Sequence, residues 1–141
     1  IIDYAHTPDA LKNILLIQTV NNVKPNILFG CGGNRDRFKR SKMGHIARMY
    51  AEKIYITDDN PRDEDPYSIR KSILHGCENG IEIPDRKKAI FKAIHDLKKN
   101  ETLIIAGKGH EKFQFIKKIK KKFDDIKMAK LALKNKWKLK N

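Results

Sequence analysis

Cysteine is scarce in this chain of 141 residues. Cys31 and Cys77 are too few for a disulfide scaffold, and neither belongs to a pair with metal-ligand spacing. Two reduced thiols are expected, Cys31 partly accessible in a glycine turn and Cys77 packed at the end of a helix. The five histidines (His6, His45, His75, His95 and His110) are scattered without zinc spacing, so no metal site is expected in this domain. Long apolar runs are missing too. None approaches the ~20 residues of a membrane span, and Ile1-Ile2-Asp3-Tyr4 has neither a basic leader nor a cleavable apolar stretch. The expectation is a cytoplasmic protein with no membrane partner. An initiator Met is absent and Ile1-Ile2 reads as the end of a strand, so a piece of something longer is expected. Acidic residues are also few: 17 against 31 lysines and arginines, a formal charge of +14. Such an excess can mark a nucleic-acid binder. Here the lysines are spread along the chain, densest from Lys117 to Lys140, with no helix-turn-helix or aromatic-rich signature beside them. A solvated lysine surface without specific nucleic-acid binding is expected, and a basic nucleotide- or nucleic-acid-binding module stands as the alternative.

What the chain does have is alternation. Short apolar runs (Ile27-Leu28-Phe29, Ile54-Tyr55-Ile56-Thr57, Ile81-Glu82-Ile83, Leu103-Ile104-Ile105-Ala106) are separated by amphipathic stretches. Thr7 with Pro8 predicts a helix start, and Leu11, Ile14, Leu15 and Val20 fall on one face of that helix. A second helix is predicted from about Ser41 to Ala51. Asp65-Pro66 opens a third, and Asp85 caps a fourth holding Ala89, Ile90, Ala93, Ile94 and Leu97. Asp124 or Asp125 caps a last helix running to about Lys136. Phe113 and Phe115 alternate with polar residues, as in an edge hairpin strand. Strand-helix alternation of this kind predicts one α/β domain with a mostly parallel sheet covered on both faces.

The polar clusters follow the predicted strands: Asp3-Tyr4-Ala5-His6, Gly30 to Arg40, Asp58 to Arg62, and Gly107 to Glu111. Ligands of open parallel sheets bind beyond the carboxyl ends of the strands, so four such clusters predict one composite site. Arg35, Arg37, Arg40, Arg62 and Lys108 offer charge for a carboxylate or phosphate, and arginine can pair bidentately. Asp59, Asn60 and Glu111 can accept from an ammonium group. An acidic or zwitterionic ligand suits this set. Gly30-Cys31-Gly32-Gly33 lacks both the dinucleotide fingerprint and the Lys-Ser/Thr of a phosphate loop.

Taken together, Asp3-Tyr4-Ala5-His6-Thr7-Pro8-Asp9-Ala10, Phe29-Gly30-Cys31-Gly32-Gly33-Asn34-Arg35-Asp36, Lys39-Arg40, Met43-Gly44, Thr57-Asp58-Asp59-Asn60-Pro61-Arg62, Ala106-Gly107-Lys108-Gly109-His110-Glu111 and Phe123-Asp124-Asp125 resemble the Mur ligase family over nearly the whole chain. The likeness is greatest to the branch that joins meso-diaminopimelate to UDP-N-acetylmuramoyl-L-alanyl-D-glutamate in peptidoglycan synthesis. It implies that residues 1–141 are a Rossmann-like C-terminal domain with a six-stranded sheet, one edge strand antiparallel. It also implies an ATP-dependent amide ligase. ATP phosphorylates the D-glutamyl carboxylate, the amine of the incoming amino acid attacks the acyl phosphate, and phosphate leaves.

In the family the phosphate loop, the Mg2+ ligands and a carbamylated lysine belong to a central domain, and the UDP end is held by an N-terminal domain. None of those motifs occurs in this sequence, so no catalytic residue is expected in this domain and no turnover from it alone. The resemblance assigns meso-diaminopimelate binding to Arg35, Asp59, Asn60, Arg62, Gly107 and Glu111, and puts Asp3, Tyr4 and His6 near the nucleotide. Arg62 pairs with the distal carboxylate that lysine lacks, and L-lysine-adding relatives replace it; a lysine-adding ligase is the nearest alternative. Asn34 stands where the family commonly carries aspartate.

Overall fold

The computed structural model describes residues 1–139; Lys140, the end of the lysine-rich stretch, lies outside them. Twelve elements follow one another: β1 (Ile2–Asp3), α1 (Pro8–Ile17), β2 (Asn26–Phe29), α2 (Phe38–Tyr50), β3 (Ile54–Ile56), α3 (Pro66–Leu74), β4 (Ile81–Glu82), α4 (Arg86–Asp96), β5 (Leu103–Ala106), β6 (Phe113–Ile116), β7 (Ile119–Lys122) and α5 (Asp125–Lys138). Capping chemistry sets most helix starts. Thr7 Oγ1 accepts from Ala10 N, Asp65 from Tyr67 N and Ser68 N, Asp85 from Lys88 N and Asp124 from Lys127 N. Pro8 and Pro66 occupy first-turn positions, where a missing N–H costs nothing. Helix α2 begins earlier than its apolar pattern suggests, because Asp36 accepts from Phe38 N. Helix α1 stops short of Val20. Asn21 and Asn22 take positive φ and turn the chain, and Val20 pairs with Val23 instead of continuing the helix.

Strands β1, β5, β2, β3 and β4 form one sheet in that order, every neighbouring pair parallel. Side chains alternate across it. Ile27, Phe29, Ile54, Ile56, Ile104 and Ala106 face one layer, with Leu11 and Leu15 of α1, Met43 and Ala47 of α2, and Ile69 and Ile73 of α3. Leu28, Tyr55, Leu103 and Ile105 face the other, with Ala89, Ile90, Ala93 and Ile94 of α4 and Ala132 of α5. Buried Tyr55 satisfies its hydroxyl by donating to Asp96. Helices therefore cover both faces, as the alternation predicts.

The antiparallel edge strand is not in this sheet. Five strands make it, and β6 pairs antiparallel with β7 in a separate hairpin. The reason is topological. β5 lies inside the sheet, so the chain leaving its carboxyl end meets no open edge; it crosses the loop after β3 and touches it through one parallel bridge, Arg62 to Ile116.

A composite cleft at the carboxyl edge

The first three crossover helices pack on one face and α4 on the other, so the winding reverses between β2 and β5. A crevice beyond the strand ends is expected at such a reversal. A cleft of about 500 Å³ lies there, lined by Tyr4, His6 and Thr7 after β1, Gly30, Cys31, Gly32, Arg35, Asp36 and Lys39 after β2, Asp59, Asn60 and Arg62 after β3, and Gly107 and Glu111 after β5. All six residues expected to hold the amino acid line this one cleft, and so do Tyr4 and His6.

Two close approaches shape it. Gly107 has φ +108°, and a Cβ there would meet Asp59 Oδ2 at 2.7 Å, so the carboxylate lies against bare backbone. A Cβ on Gly32 would meet Arg62 Nη1 at 2.8 Å and Arg35 Cγ at 3.6 Å; both arginines lie against that glycine. The bonds that the Arg62 guanidinium makes within the protein all use Nη1, to Gly33 O at 3.0 Å and Asn60 O at 3.4 Å.

The other three cations named from the sequence have internal work. Lys108 is completely buried; its Nζ donates to Asn60 Oδ1 at 2.9 Å and to Glu111 Oε2 at 3.4 Å and lies 4.0 Å from Asp59 Oδ1. Arg40, on the buried face of α2, is bonded to Glu64 Oε2 at 2.9 Å and Gly32 O at 3.1 Å. That hydrogen bond, against a smaller opposing effect of burial, holds the Glu64 carboxyl below its usual range. Arg37 is exposed and pairs with Glu64. Arg35 and Arg62 are the arginines that remain in the cleft, joined by Lys39, which the sequence did not single out as a cation. Lys39 Nζ donates to His6 O at 2.8 Å and ties α2 to the loop after β1.

Asn60 is oriented by its partners. Lys108 Nζ and Phe115 N can only donate, so the atom that receives both is the carboxamide oxygen. Its NH2 is then what Asn60 can offer a ligand. Asn34 has φ 52°, donates from Nδ2 to Asp63 Oδ2 at 3.0 Å, and its N–H donates to Glu64 Oε1. An aspartate there would face Asp63, so asparagine suits this loop.

At the mouth, the Tyr4 ring lies edge-on to His6 with centroids 4.8 Å apart and stacks on His110 at 6.0 Å. His6 Nδ1 donates to Tyr4 O. Asp3 stands behind them, its carboxylate accepting from Ala5 N at 2.7 Å, and does not line the cleft. Cys31 is not accessible as expected: it is 3% exposed, its thiol packs on Met43 Sδ, and burial pushes its pKa up to about 12. Cys77 is buried as expected. No group of three or more metal-ligating side chains occurs among the described residues.

Residues 1–109 match the family described as "Mur ligase, glutamate ligase domain". The chain belongs to the Mur ligase family. Its relatives narrow the comparison. It is 51% identical over 138 residues to the UDP-N-acetylmuramoyl-L-alanyl-D-glutamate–2,6-diaminopimelate ligase of Rickettsia bellii, covering 93% of this chain and 29% of that protein. The ligase of the same name from Anaplasma marginale is 51% identical over 128 residues, covering 89% and 27%. A solved structure of a UDP-N-acetylmuramoyl-L-alanyl-D-glutamate–2,6-diaminopimelate ligase superposes with a TM-score of 0.88 at 39% identity, covering 96% of this chain and 29% of that one. The chain thus spans under a third of the length of these Mur ligases. The family match ends before β6, whereas the Rickettsia relative aligns over 138 residues.

Proposed function

We propose that this chain is the amino-acid-binding C-terminal domain of a cytoplasmic ligase that adds meso-diaminopimelate to UDP-N-acetylmuramoyl-L-alanyl-D-glutamate. The observation that carries the reading is the pair Arg35 and Arg62 flanking Gly32 in a cleft that also holds Asp59, Asn60, Gly107 and Glu111. Meso-diaminopimelate is zwitterionic at both ends. Guanidinium groups suit its carboxylates, and Asp59 and Glu111 suit an ammonium. Holding the far end fixes the reacting amine in place for attack on an acyl carbon, which is an entropic contribution to rate.

ATP would supply the activation of the D-glutamyl carboxylate. On this reading the phosphate loop and the Mg2+ ligands belong to the other domains of the ligase, with which this one would work; among the described residues no group of three or more metal-ligating side chains occurs. Tyr4 and His6, shaped by Asp3, offer flat ring surface at the mouth where a nucleotide can approach. No activity is expected of residues 1–141 by themselves. No helix among the described residues is long and apolar enough to cross a membrane.

The test is amino-acid choice by the full-length ligase. Meso-diaminopimelate and L-lysine differ by one distal carboxylate, so Arg62→Ala should lower kcat/KM for the diamino acid by about 2–5 kcal/mol in transition-state terms. Lysine use should change much less. A ratio of the two efficiencies within about threefold of wild type would remove Arg62 as the discriminator and leave the choice of acid unsupported.

A further inference from the structure

Strand β6 inverts the usual pattern. Phe113 and Phe115 face outward under the ammonium of Lys120, which lies 4.0 Å and 5.9 Å from their ring centroids, while the residue between them, Gln114, is buried at 6% exposure. A buried carboxamide is costly unless bonded. Gln114 Nε2 donates to the main-chain carbonyl of Asp59 at 2.6 Å. The strand grips the same loop at three further points: Phe115 N donates to Asn60 Oδ1 at 3.0 Å, Arg62 N to Phe115 O at 3.0 Å, and Lys117 N to Arg62 O at 2.6 Å.

Backbone conformation marks the same place. Among the described residues, six non-glycine positions have positive φ, and four of them are asparagines, which tolerate it. The two exceptions, Arg62 at 51° and Lys117 at 52°, are the pair bonded to each other. A non-glycine residue in that region persists where its surroundings hold it there.

We propose that Gln114 is a specificity-positioning residue: from β6 its buried carboxamide, with the main chain of Phe115 to Lys117, holds the Asp59–Arg62 loop so that Arg62 is presented to the cleft. This rests on the reading of the chain as the amino-acid-selecting domain. Gln114 does not line the cleft and acts through the loop; the exposed lysines of β7 have no part in the grip.

The experiment uses the full-length ligase and compares wild type with Gln114→Met and Gln114→Glu. Both variants keep the length of the side chain and remove the carboxamide N–H; Gln114→Met leaves no donor in any protonation state, whereas Gln114→Glu loses it when ionised. KM for meso-diaminopimelate should rise about tenfold, and its kcat/KM advantage over L-lysine should fall about as much. KM for ATP, and kcat at saturating diamino acid, should stay within about twofold. A general folding defect would move all of these together. In wild type, meso-diaminopimelate should slow hydrogen exchange at the Arg62 and Lys117 amides about tenfold or more, a readout that needs no variant to fold. Folded variants that keep the wild-type preference within about threefold, or amides indifferent to the ligand, overturn the proposal. A wild-type enzyme without a preference for meso-diaminopimelate overturns the functional reading and this inference with it. A preference that survives loss of the Gln114 donor overturns the inference alone.

Discussion

Lys108 donates to Asn60 across 2.9 Å and 48 residues of sequence, joining the loop after β5 to the loop after β3 with a fully buried ammonium. Asp59 and Glu111 surround the same charge. Replacing it removes the counter-charge of two carboxylates and one of the two donors to Asn60. Lys108→Met should cost about 2–3 kcal/mol, between a lost charged hydrogen bond and a broken buried pair. Urea unfolding of the chain measures it. A cost under about 0.5 kcal/mol would mean that the two loops hold together without the lysine.

Gly32 separates effects on the cleft from effects on the fold. A Cβ there strikes the tip of Arg62, the far end of a flexible side chain, not the backbone. Gly32→Ala should therefore change stability by less than about 1 kcal/mol. In the full-length ligase it should raise KM for meso-diaminopimelate about tenfold, because the guanidinium must give way. Thermal unfolding and steady-state kinetics of the same preparation check both halves.

Asp124 and Asp125 are neighbours with unequal roles. Asp124 caps α5 at its first turn, and Asp125 forms a fully buried bidentate pair with Arg86, whose Nη2 also donates to Ala106 O. Asp124→Ala should cost about 1 kcal/mol, a lost cap. Asp125→Ala should cost about 3–5 kcal/mol, because it strands a buried guanidinium. Equal losses in chemical denaturation would refute that division.

Glu64 predicts an acid sensitivity. Arg40 holds its folded pKa below the unfolded value, so the stability it contributes is present above the unfolded pKa and lost as the pH falls through the folded one. Unfolding midpoints of the wild-type chain should drop progressively as the pH falls below about 4.3, the ordinary glutamate value. Glu64→Gln should be less stable at neutral pH and lose less on acidification. Parallel curves for the two proteins would exclude this origin.

The sheet and its helices were legible because their signals are local. The unbroken apolar run Leu103–Ala106, the Thr7-Pro8 and Asp65-Pro66 starts and the capping aspartates each act within a few residues. The cleft was legible as a set because one structural rule gathers strand-end loops at one edge. What escaped was the division of labour inside it. Arg40, Arg62 and Lys108 look alike in sequence, yet whether a cation reaches the cleft depends on partners such as Glu64 and Asn60, which lie 24 and 48 residues away from Arg40 and Lys108. Gln114 escaped because alternation with two phenylalanines sends the aromatics inward by default. The loop carbonyl of Asp59, which accepts from the Gln114 carboxamide, works against that preference, and Lys120 lies over the outward rings.

On the proposed function, position 62 is where the demands of folding and of recognition part. Its φ of 51° belongs to the region that glycine and asparagine occupy freely. Judged by backbone alone, arginine is a poor choice there. A sequence optimised only for stability would drift toward glycine at this position, and the resulting protein would fold at least as readily while losing the guanidinium from the cleft. A stabilised version of this domain, chosen by melting temperature, should accordingly be checked first at residue 62, where robustness and discrimination are expected to trade against each other.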